Sequence, residues 1–214
     1  MTEADQVRAF EDRRWSEKDQ TPVWRHHAAL ELVRQEPVLD VGGGDGLLLR
    51  MLRERGLADV HLADLSPVGV EKARAAGFPA EVVDVTAGPL PYADDAFGTV
   101  CALDVLEHLR EPLPALREIA RVGREIVVAV PNFAALRERL TMLGGGVPFQ
   151  SRPQRGHVYW FDEPILRRLF DEAGLRVDAW RAEPSRRLGR TGIWLAARRP
   201  NLFGVAFAAR LVKG

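Results

Sequence analysis

Several residue types that build common kinds of site are scarce in this chain. Cys101 is the only cysteine among 214 residues and lies in an apolar run, which excludes an internal disulfide bond and a metal site built from cysteines. The 30 basic side chains are balanced by 30 acidic ones, so no net charge favours nucleic acid or an anionic membrane as a partner. We therefore expect a reducing, cytoplasmic environment and a small molecule or a protein as the ligand.

Long apolar segments are scarce as well. The N-terminal sequence MTEADQVRAFEDRRW is charged where a signal peptide would be apolar. The longest apolar stretch near the other end, residues 202–212, is short and is interrupted by Arg210. The sequence therefore predicts neither export nor a membrane span, and its 46% hydrophobic and 28% charged content is typical of a globular domain.

Segments typical of strands and helices alternate along the chain. The predicted strands are residues 38–41, 60–65, 80–85, 97–103, 125–130, 175–180 and 205–212. This order predicts an α/β fold with a doubly wound, mostly parallel sheet. The main domain is predicted to span residues 36–214 with an insertion at residues 132–155, and residues 1–35 are predicted to form a separate cap of two helices.

The clearest motif is PVLDVGGGDGLLL at residues 37–49. Gly42, Gly44 and Gly46 lie at alternate positions after a short strand, where the backbone turns sharply and can admit a ligand against its amides. The free N–H groups of the following helix face the same place. A tight strand-to-helix turn alone would use the same glycines. A dinucleotide fingerprint would need a glycine at Leu47, so the pattern disfavours NAD.

Two acidic residues follow at the ends of predicted strands. Asp64 closes the second strand, where a carboxylate can accept hydrogen bonds from both hydroxyls of a ribose. The alternative for Asp64 is a turn aspartate ahead of Ser66. Asp84 ends the third strand, where its carboxylate can accept from the amine of an adenine while the amide of Val85 donates to the ring. Together with the glycine turn, these residues favour a site for an adenosine-containing cofactor.

The segment between the third and fourth predicted strands carries a family resemblance. It has an acid, a Leu-Pro-aromatic sequence, two further acids and a phenylalanine, at Asp84, Leu90, Pro91, Tyr92, Asp94, Asp95 and Phe97. With the glycine motif and LDVLEHL at residues 103–109, it resembles the class I methyltransferases. One position departs from the pattern, because Gly98 stands where the family commonly has Asp, which puts the local capping of the strand in doubt.

The resemblance implies a Rossmann-like sheet of seven strands with an antiparallel last strand, and S-adenosylmethionine as the cofactor. It places Asp40 near the ammonium group of the cofactor, and it places LDVLEHL beneath the methionine part. The cofactor-binding residues that it implies are Asp40, Gly42, Gly44, Gly46, Asp64, Leu65, Asp84, Val85 and Leu103.

Two later sequence blocks indicate a particular branch of this family. PNFAALRERLTMLGGGVPF, after the fifth predicted strand, and RRPNLFGVAFAARLVK, at the end, are similar to the MetW-like branch of these methyltransferases. Two hypotheses follow from this similarity. The chain is either a methyltransferase that acts on a small-molecule acceptor, or a protein that keeps the fold and acts as a partner or regulator of a homoserine acyltransferase. The resemblance also implies a protein partner or a homodimer.

The residues that carry the chemistry are less defined than those that hold the cofactor. Methyl transfer depends mainly on positioning and desolvation, and it needs a base only where the acceptor carries a proton. The candidates for contact with the acceptor are His108, Asn132, His157 and Tyr159, and a structural role is the alternative for each. No metal site is predicted, because no pair of His, Asp or Glu residues has ligand spacing on one predicted element.

Overall fold

A seven-stranded sheet forms the centre of the molecule in the computed structural model, which describes residues 3–17, 21–185, 187 and 189–214. The strands are β1 (Val38–Val41), β2 (Val60–Asp64), β3 (Ala80–Val82), β4 (Phe97–Leu103), β5 (Gly123–Pro131), β6 (Leu175–Pro184) and β7 (Gly204–Lys213). Their order is β3-β2-β1-β4-β5-β7-β6. β1 to β5 are parallel, and β7 runs antiparallel to both β5 and β6. The predicted Rossmann-like sheet with an antiparallel last strand is confirmed.

Helices connect the strands and cover both faces of the sheet. They are α1 (Glu3–Glu17), α2 (Trp24–Leu32), α3 (Leu47–Glu54), α4 (Pro67–Ala75), α5 (Pro112–Val122), α6 (Leu136–Leu143), α7 (Glu163–Glu172), α8 (Gly189–Arg198) and α9 (Pro200–Phe203). Short 3-10 turns lie at Leu106–His108, Phe149–Ser151 and Pro153–Arg155. α4 begins because the Ser66 hydroxyl accepts from the Gly69 amide at 3.2 Å and Pro67 occupies the first helical position.

The core divides into two apolar clusters, one on each face of the sheet. In β1, Leu39 and Val41 belong to one cluster and Val38 to the other, as the alternation of a strand requires. α5 and α7 cover the first cluster, and α2, α3 and α4 cover the second. Every residue of β4 is buried, which is typical of a central parallel strand covered on both faces.

Gly98, the departure from the family pattern, has a steric cause. A Cβ at this position would lie 2.5 Å from the Glu36 carbonyl oxygen and 2.8 Å from the Cβ of Gln35. The chain leading into β1 therefore passes so close to the start of β4 that no side chain fits between them. The absence of Asp here reflects packing and does not affect the cofactor side of the sheet.

The N-terminal helices pack closely on the sheet domain. Ala28, Ala29 and Leu32 of α2 are buried in the same cluster as α3 and α4. α1 contacts α4, and the Ser66 hydroxyl donates to the Asp12 carboxylate. The division of the chain at residue 35 stays a prediction, as does the insertion at residues 132–155. Within the described residues, no helix combines the length and the apolar character that a membrane crossing requires.

The third predicted strand is shorter in the structure, and the charged residue within the seventh is buried. β3 ends at Val82 rather than at residue 85, because Asp84 Oδ1 accepts from the amide and hydroxyl of Thr86 and turns the chain out of the sheet. Arg210, which interrupts the last apolar run, is only 2% exposed. Its guanidinium binds the Asp178 carboxylate and donates to the Leu32 carbonyl at 3.2 Å, so it joins β7 to β6 and to the end of α2.

Candidate active site

A cavity of about 660 Å³ lies at the carboxyl ends of β1, β2 and β4. Its floor includes Asp40, Asp64 and Leu103 from these strand ends. α1 and α2 form part of its wall, through Trp15 and Arg25. Ligands of open α/β sheets bind at this edge, because the strand ends and the loops that follow them meet there. The cavity is therefore the candidate site for the cofactor.

The glycine turn is shaped by contacts that leave no room for side chains. Gly42 has a φ of 73°, and a Cβ there would lie 2.6 Å from Cγ2 of Val105. A Cβ at Gly43 would lie 2.5 Å from Oδ2 of Asp40. Both residues line the cavity. Their backbone thus forms a cradle against which a ligand can lie, as the motif predicts.

Asp64 joins the glycine turn to the end of β2. Its Oδ2 accepts from the Gly44 amide at 2.8 Å, and its Oδ1 accepts from the Ser66 amide at 2.8 Å. A carboxylate has about four lone-pair sites, so these two hydrogen bonds alone do not exhaust its capacity to accept. Asp64 was interpreted either as a turn residue or as a ligand-binding residue. This geometry is compatible with both roles.

Asp40 is buried at the bottom of the cavity. The pKa of its carboxyl is raised to about 8, mainly by burial and also by the charges of Asp64 and Asp45, while Arg25 opposes the shift. Arg25, on α2, forms an ion pair with Asp104 at 3.1 Å across the cavity wall. Asp104 has a φ of 55°, a strained conformation for a residue with a side chain. The methionine end predicted for the cofactor thus contains both positive and negative groups.

The structure brings most of the predicted cofactor-binding residues to this cavity. Those that line it are Asp40, Gly42, Asp64, Leu65, Asp84, Val85 and Leu103. Gly44 and Gly46 do not line it. They have φ values of 57° and 78°, so they shape the turn, and Gly46 precedes the first residue of α3. The cofactor-binding role of these nine residues stays a prediction.

The four candidates for the acceptor side separate clearly. His108 lines the cavity, and the other three do not. Asn132 is buried with its side chain fully used: its amide donates to the carbonyls of Asn201 at 3.0 Å and Gly204 at 2.7 Å, and its oxygen accepts from Ala134 at 2.9 Å. Tyr159 packs against the ring of Phe161 with 4.8 Å between centroids. This geometry favours His108 as the residue that contacts the acceptor.

His157 lies behind His108 rather than in the cavity. The two rings meet edge to face with 5.0 Å between centroids, and Nε2 of His157 is 3.9 Å from Oε1 of Glu107. Burial raises the pKa of the Glu107 carboxyl well above its ordinary range, and Asp104 adds to the shift. Glu107, His108 and His157 each offer one ligand atom within 4.8 Å of the others. No metal site was predicted, because that prediction rested on the spacing of ligands within single elements. These three residues come from two separate segments.

Trp15 and Arg25, from the N-terminal helices, are among the lining residues that the sequence did not indicate. Asp104, which follows β4, lies within the predicted LDVLEHL segment but was not singled out there. Trp15 is 5% exposed although it stands among charged residues in the sequence. A lone aromatic residue among charged ones could have indicated that Trp15 is buried against the rest of the protein. No comparable signal distinguishes Arg25 from the other 29 basic side chains.

A strand-end cavity with a glycine cradle and acids at the ends of β1 and β2 is the arrangement of class I methyltransferases. The chain belongs to the family of methyltransferase domains, which matches residues 14–179. The match confirms the class predicted from the sequence, with S-adenosylmethionine as its cofactor. Membership of the MetW-like branch stays a prediction.

Two curated proteins show partial similarity. The chain is 33% identical over 102 residues to the ubiquinone biosynthesis O-methyltransferase of Cereibacter sphaeroides, covering 44% of this chain and 41% of the relative. It is 36% identical over 99 residues to the malonyl-[acyl-carrier protein] O-methyltransferase of Halorhodospira halophila, covering 44% of this chain and 34% of the relative. The matches thus span less than half the length of either relative.

A solved structure shows the same fold over the whole chain. The magnesium protoporphyrin IX methyltransferase of Synechocystis, with bound S-adenosylhomocysteine, has a TM-score of 0.67 at 17% identity. The superposition covers 98% of this chain and 99% of the other. At this level of identity the likeness concerns the fold.

Proposed function

We propose that the protein transfers a methyl group from S-adenosylmethionine to a hydroxyl oxygen of a small molecule. The observation that carries the proposal is the cavity, which joins the strand-end carboxylates to the imidazole of His108 beneath α1 and α2. Its volume of about 660 Å³ lies in the range of small-molecule sites, about 300–1,000 Å³. The two relatives named as O-methyltransferases support oxygen as the acceptor atom.

The adenosine half of the cofactor is assigned to the ends of β2 and β3. The carboxylate of Asp64, which already holds the Gly44 and Ser66 amides, accepts the ribose hydroxyls. Oδ1 of Asp84 is used by Thr86 at 2.8 Å and 2.6 Å, so its second oxygen accepts the adenine amine. A charged acceptor shortens and strengthens such hydrogen bonds.

The methionine half is assigned to Arg25 and Asp40. Arg25 can bind the carboxylate of the cofactor in two parallel hydrogen bonds, and it is held over the cavity by its pair with Asp104. Asp40, buried in the floor of the cavity beside the glycine turn, receives the ammonium group. The opposite charges of these two side chains match the zwitterion of an amino acid.

The chemistry divides between the cofactor and the chain. When bound, the cofactor supplies a methyl carbon activated by a sulfonium, and the carbon–sulfur bond breaks as the acceptor oxygen bonds to that carbon. Trp15 and α2 cover the cavity, which excludes water and holds the acceptor close to the methyl carbon. The acceptor also loses a proton, and His108 is the one of the four candidates that reaches this space.

The test is the fate of a labelled methyl group. The protein is incubated with methyl-labelled S-adenosylmethionine and a deproteinised extract of low-mass compounds, beside the variant Asp64→Ala. Asp59→Ala is the control, since the exposed side chain of Asp59 has His61 as its described partner, on the surface, and its backbone hydrogen bonds do not depend on that side chain. We expect label in a low-mass product with the wild type and the control. Absence of label from every low-mass compound with the wild type, or equal transfer by Asp64→Ala, would overturn the proposal.

A role as a partner of another enzyme remains the second candidate, and one observation favours it. Leu140, Leu143 and Val147 project from residues 132–155 into solvent, and Leu143 is 85% exposed. Exposed apolar clusters mark contact surfaces in many proteins. Co-purification with an acyltransferase, together with no methyl incorporation into extracts, would favour this role. A methylated low-mass product formed in stoichiometric amounts would exclude it.

A further inference from the structure

Three potential metal ligands meet at the edge of the cavity. Glu107 and His108 lie in the 3-10 turn after β4, and His157 lies about fifty residues later in the segment before α7. One ligand atom of each lies within 4.8 Å of the others. The two segments are held together by the Glu107 carbonyl, which accepts from the amides of Val158 at 2.9 Å and Tyr159 at 3.0 Å. The cluster is therefore built by fixed backbone contacts.

The Glu107 carboxylate is the most unusual member. Its residue is 1% exposed, and no other described residue donates a hydrogen bond to either of its oxygens. Its nearest polar groups are its own backbone amide and the His157 ring, whose Nε2 is 3.9 Å from Oε1, while Arg25 and Arg155 act on it by charge. Burying a carboxylate with such weak partners is costly. A cation bound between Glu107 and the two histidines would supply the missing partner.

His108 is oriented in the way that metal-binding histidines usually are. Its Nδ1 lies 3.1 Å from the carbonyl oxygen of Gly156. In the tautomer that donates this hydrogen bond, Nε2 is the ring nitrogen that carries the lone pair, which is the form in which imidazole binds metal ions. Gly156 has a φ of 68°, and a Cβ there would lie 3.2 Å from the Phe10 ring. The carbonyl is thus fixed by packing between α1 and the His108 ring.

We propose that Glu107, His108 and His157 bind a divalent transition-metal ion, with Zn²⁺, Mn²⁺ and Fe²⁺ as the fitting class. Two imidazoles and one carboxylate suit these ions, whereas Mg²⁺ prefers oxygen ligands. Ligands about 2.1 Å from an ion lie about 3–3.5 Å from each other, so small side-chain rotations close the site. The described residues provide three ligands and leave other positions open.

The open positions give the ion a role in the reaction. His108 is the ligand that lines the cavity, so an ion bound to it would lie beside the space proposed for the acceptor. A bound cation lowers the pKa of a hydroxyl that coordinates it. The acceptor then releases its proton to solvent, and its oxygen bonds to the methyl carbon as the carbon–sulfur bond breaks. This role rests on the proposed function, whereas binding of the ion does not.

The experiment measures binding of the metal alone to the full chain after treatment with a chelator. Calorimetry with Zn²⁺, Mn²⁺ and Mg²⁺ is expected to show one site that prefers the first two. Glu107→Gln, which keeps the side-chain volume, is expected to weaken binding of Zn²⁺ at least tenfold. His108→Asn is expected to do the same, because its amide can keep the contact with Gly156 while the ligand nitrogen is lost. His61→Asn is the control, since His61 lies on the surface beside Asp59.

Each outcome decides the proposal. Binding of S-adenosylhomocysteine is measured in parallel, so a variant that fails to fold is recognised and the remaining variant decides. Absence of a saturable Zn²⁺ or Mn²⁺ site in the wild type, or equal affinity in both folded variants, would overturn the metal site. Metal binding without methyl transfer would leave the site intact and overturn the proposed function instead.

Discussion

The Gly44 amide donates to Asp64 Oδ2 at 2.8 Å, so the glycine turn after β1 is tied to the end of β2. A Cβ at Gly69, in the first turn of α4, would lie 3.1 Å from the Gly44 carbonyl oxygen, so α4 packs closely against the same turn. One carboxylate thereby positions the backbone cradle and, in the proposed site, accepts the ribose hydroxyls. The shape of the turn and the proposed recognition of the cofactor therefore depend on the same residue.

The raised pKa of Asp40 predicts proton release when the cofactor binds. The carboxyl of the free protein has a pKa of about 8, so it is mostly protonated at pH 7. The ammonium group of S-adenosylhomocysteine favours the ionised form, so binding releases a proton and affinity rises with pH until about pH 8. His26, whose pKa burial lowers to about 4, stays neutral over this range.

Calorimetry in phosphate and in Tris checks the release of this proton, because the two buffers differ in ionisation enthalpy. We expect different apparent heats for the wild type and equal heats for Asp40→Asn. Equal heats for the wild type, or an affinity that does not change between pH 6 and pH 8, would contradict the placement of the ammonium group at Asp40.

Trp15 is expected to slow the release of the cofactor. Its side chain is 5% exposed and lines the cavity from α1, so Trp15→Ala opens a path to solvent. We predict that the dissociation rate of S-adenosylhomocysteine rises about tenfold, equivalent to about 1.4 kcal/mol. Displacement of labelled ligand gives the rate. Trp194→Ala is the control, because Trp194 is 55% exposed on α8. A similar increase in the dissociation rate of this control would contradict the claim that Trp15 on α1 retains the cofactor.

Asn132 is expected to support the fold rather than the reaction. Asn132→Ala leaves the carbonyls of Asn201 and Gly204 and the amide of Ala134 without their partner. We predict a fall of about 2–4 kcal/mol in the free energy of unfolding in urea, with unchanged affinity for S-adenosylhomocysteine. A variant of normal stability that binds cofactor but no longer transfers methyl groups would show instead that Asn132 contacts the acceptor.

Gly98 is expected to tolerate no side chain. Gly98→Ala places a Cβ 2.5 Å from the Glu36 carbonyl oxygen, and such overpacking should lower the free energy of unfolding by about 1–3 kcal/mol. Gly144→Ala is the matched control, because its Cβ would meet backbone oxygens at 3.5 Å or more and its φ is −81°. Equal stability of the two variants would show that the segment before β1, which contains Glu36, can shift to make room for the added Cβ.

Sequence patterns predicted the sheet and the cofactor side of the cavity for a simple reason. Asp40, Asp64 and Asp84 each lie at or just after the end of a parallel strand, and such ends meet at one edge of the sheet. A local pattern therefore fixes a tertiary position. The glycine turn adds a second local constraint, since positive φ angles at Gly42 and Gly44 are rarely adopted by other residues.

The remaining parts of the site depend on contacts between distant segments. Arg25 reaches Asp104 through the packing of α2 on the sheet, and His157 reaches Glu107 through the amides of Val158 and Tyr159. The spacing of these residues along the chain does not indicate that either pair lies close together in the fold. For this reason the spacing within single elements does not predict that Glu107, His108 and His157 lie together.

A calorimetric titration of S-adenosylhomocysteine into the wild type and Asp64→Ala, with Asp59→Ala as the control, measures whether Asp64 holds the cofactor. We expect a single site in the wild type and the control. We expect at least a hundredfold weaker binding in Asp64→Ala, equivalent to about 2.7 kcal/mol, because the ribose acceptor and the Gly44 contact are lost together. Absence of binding to the wild type, or equal affinity of all three proteins, would contradict this expectation.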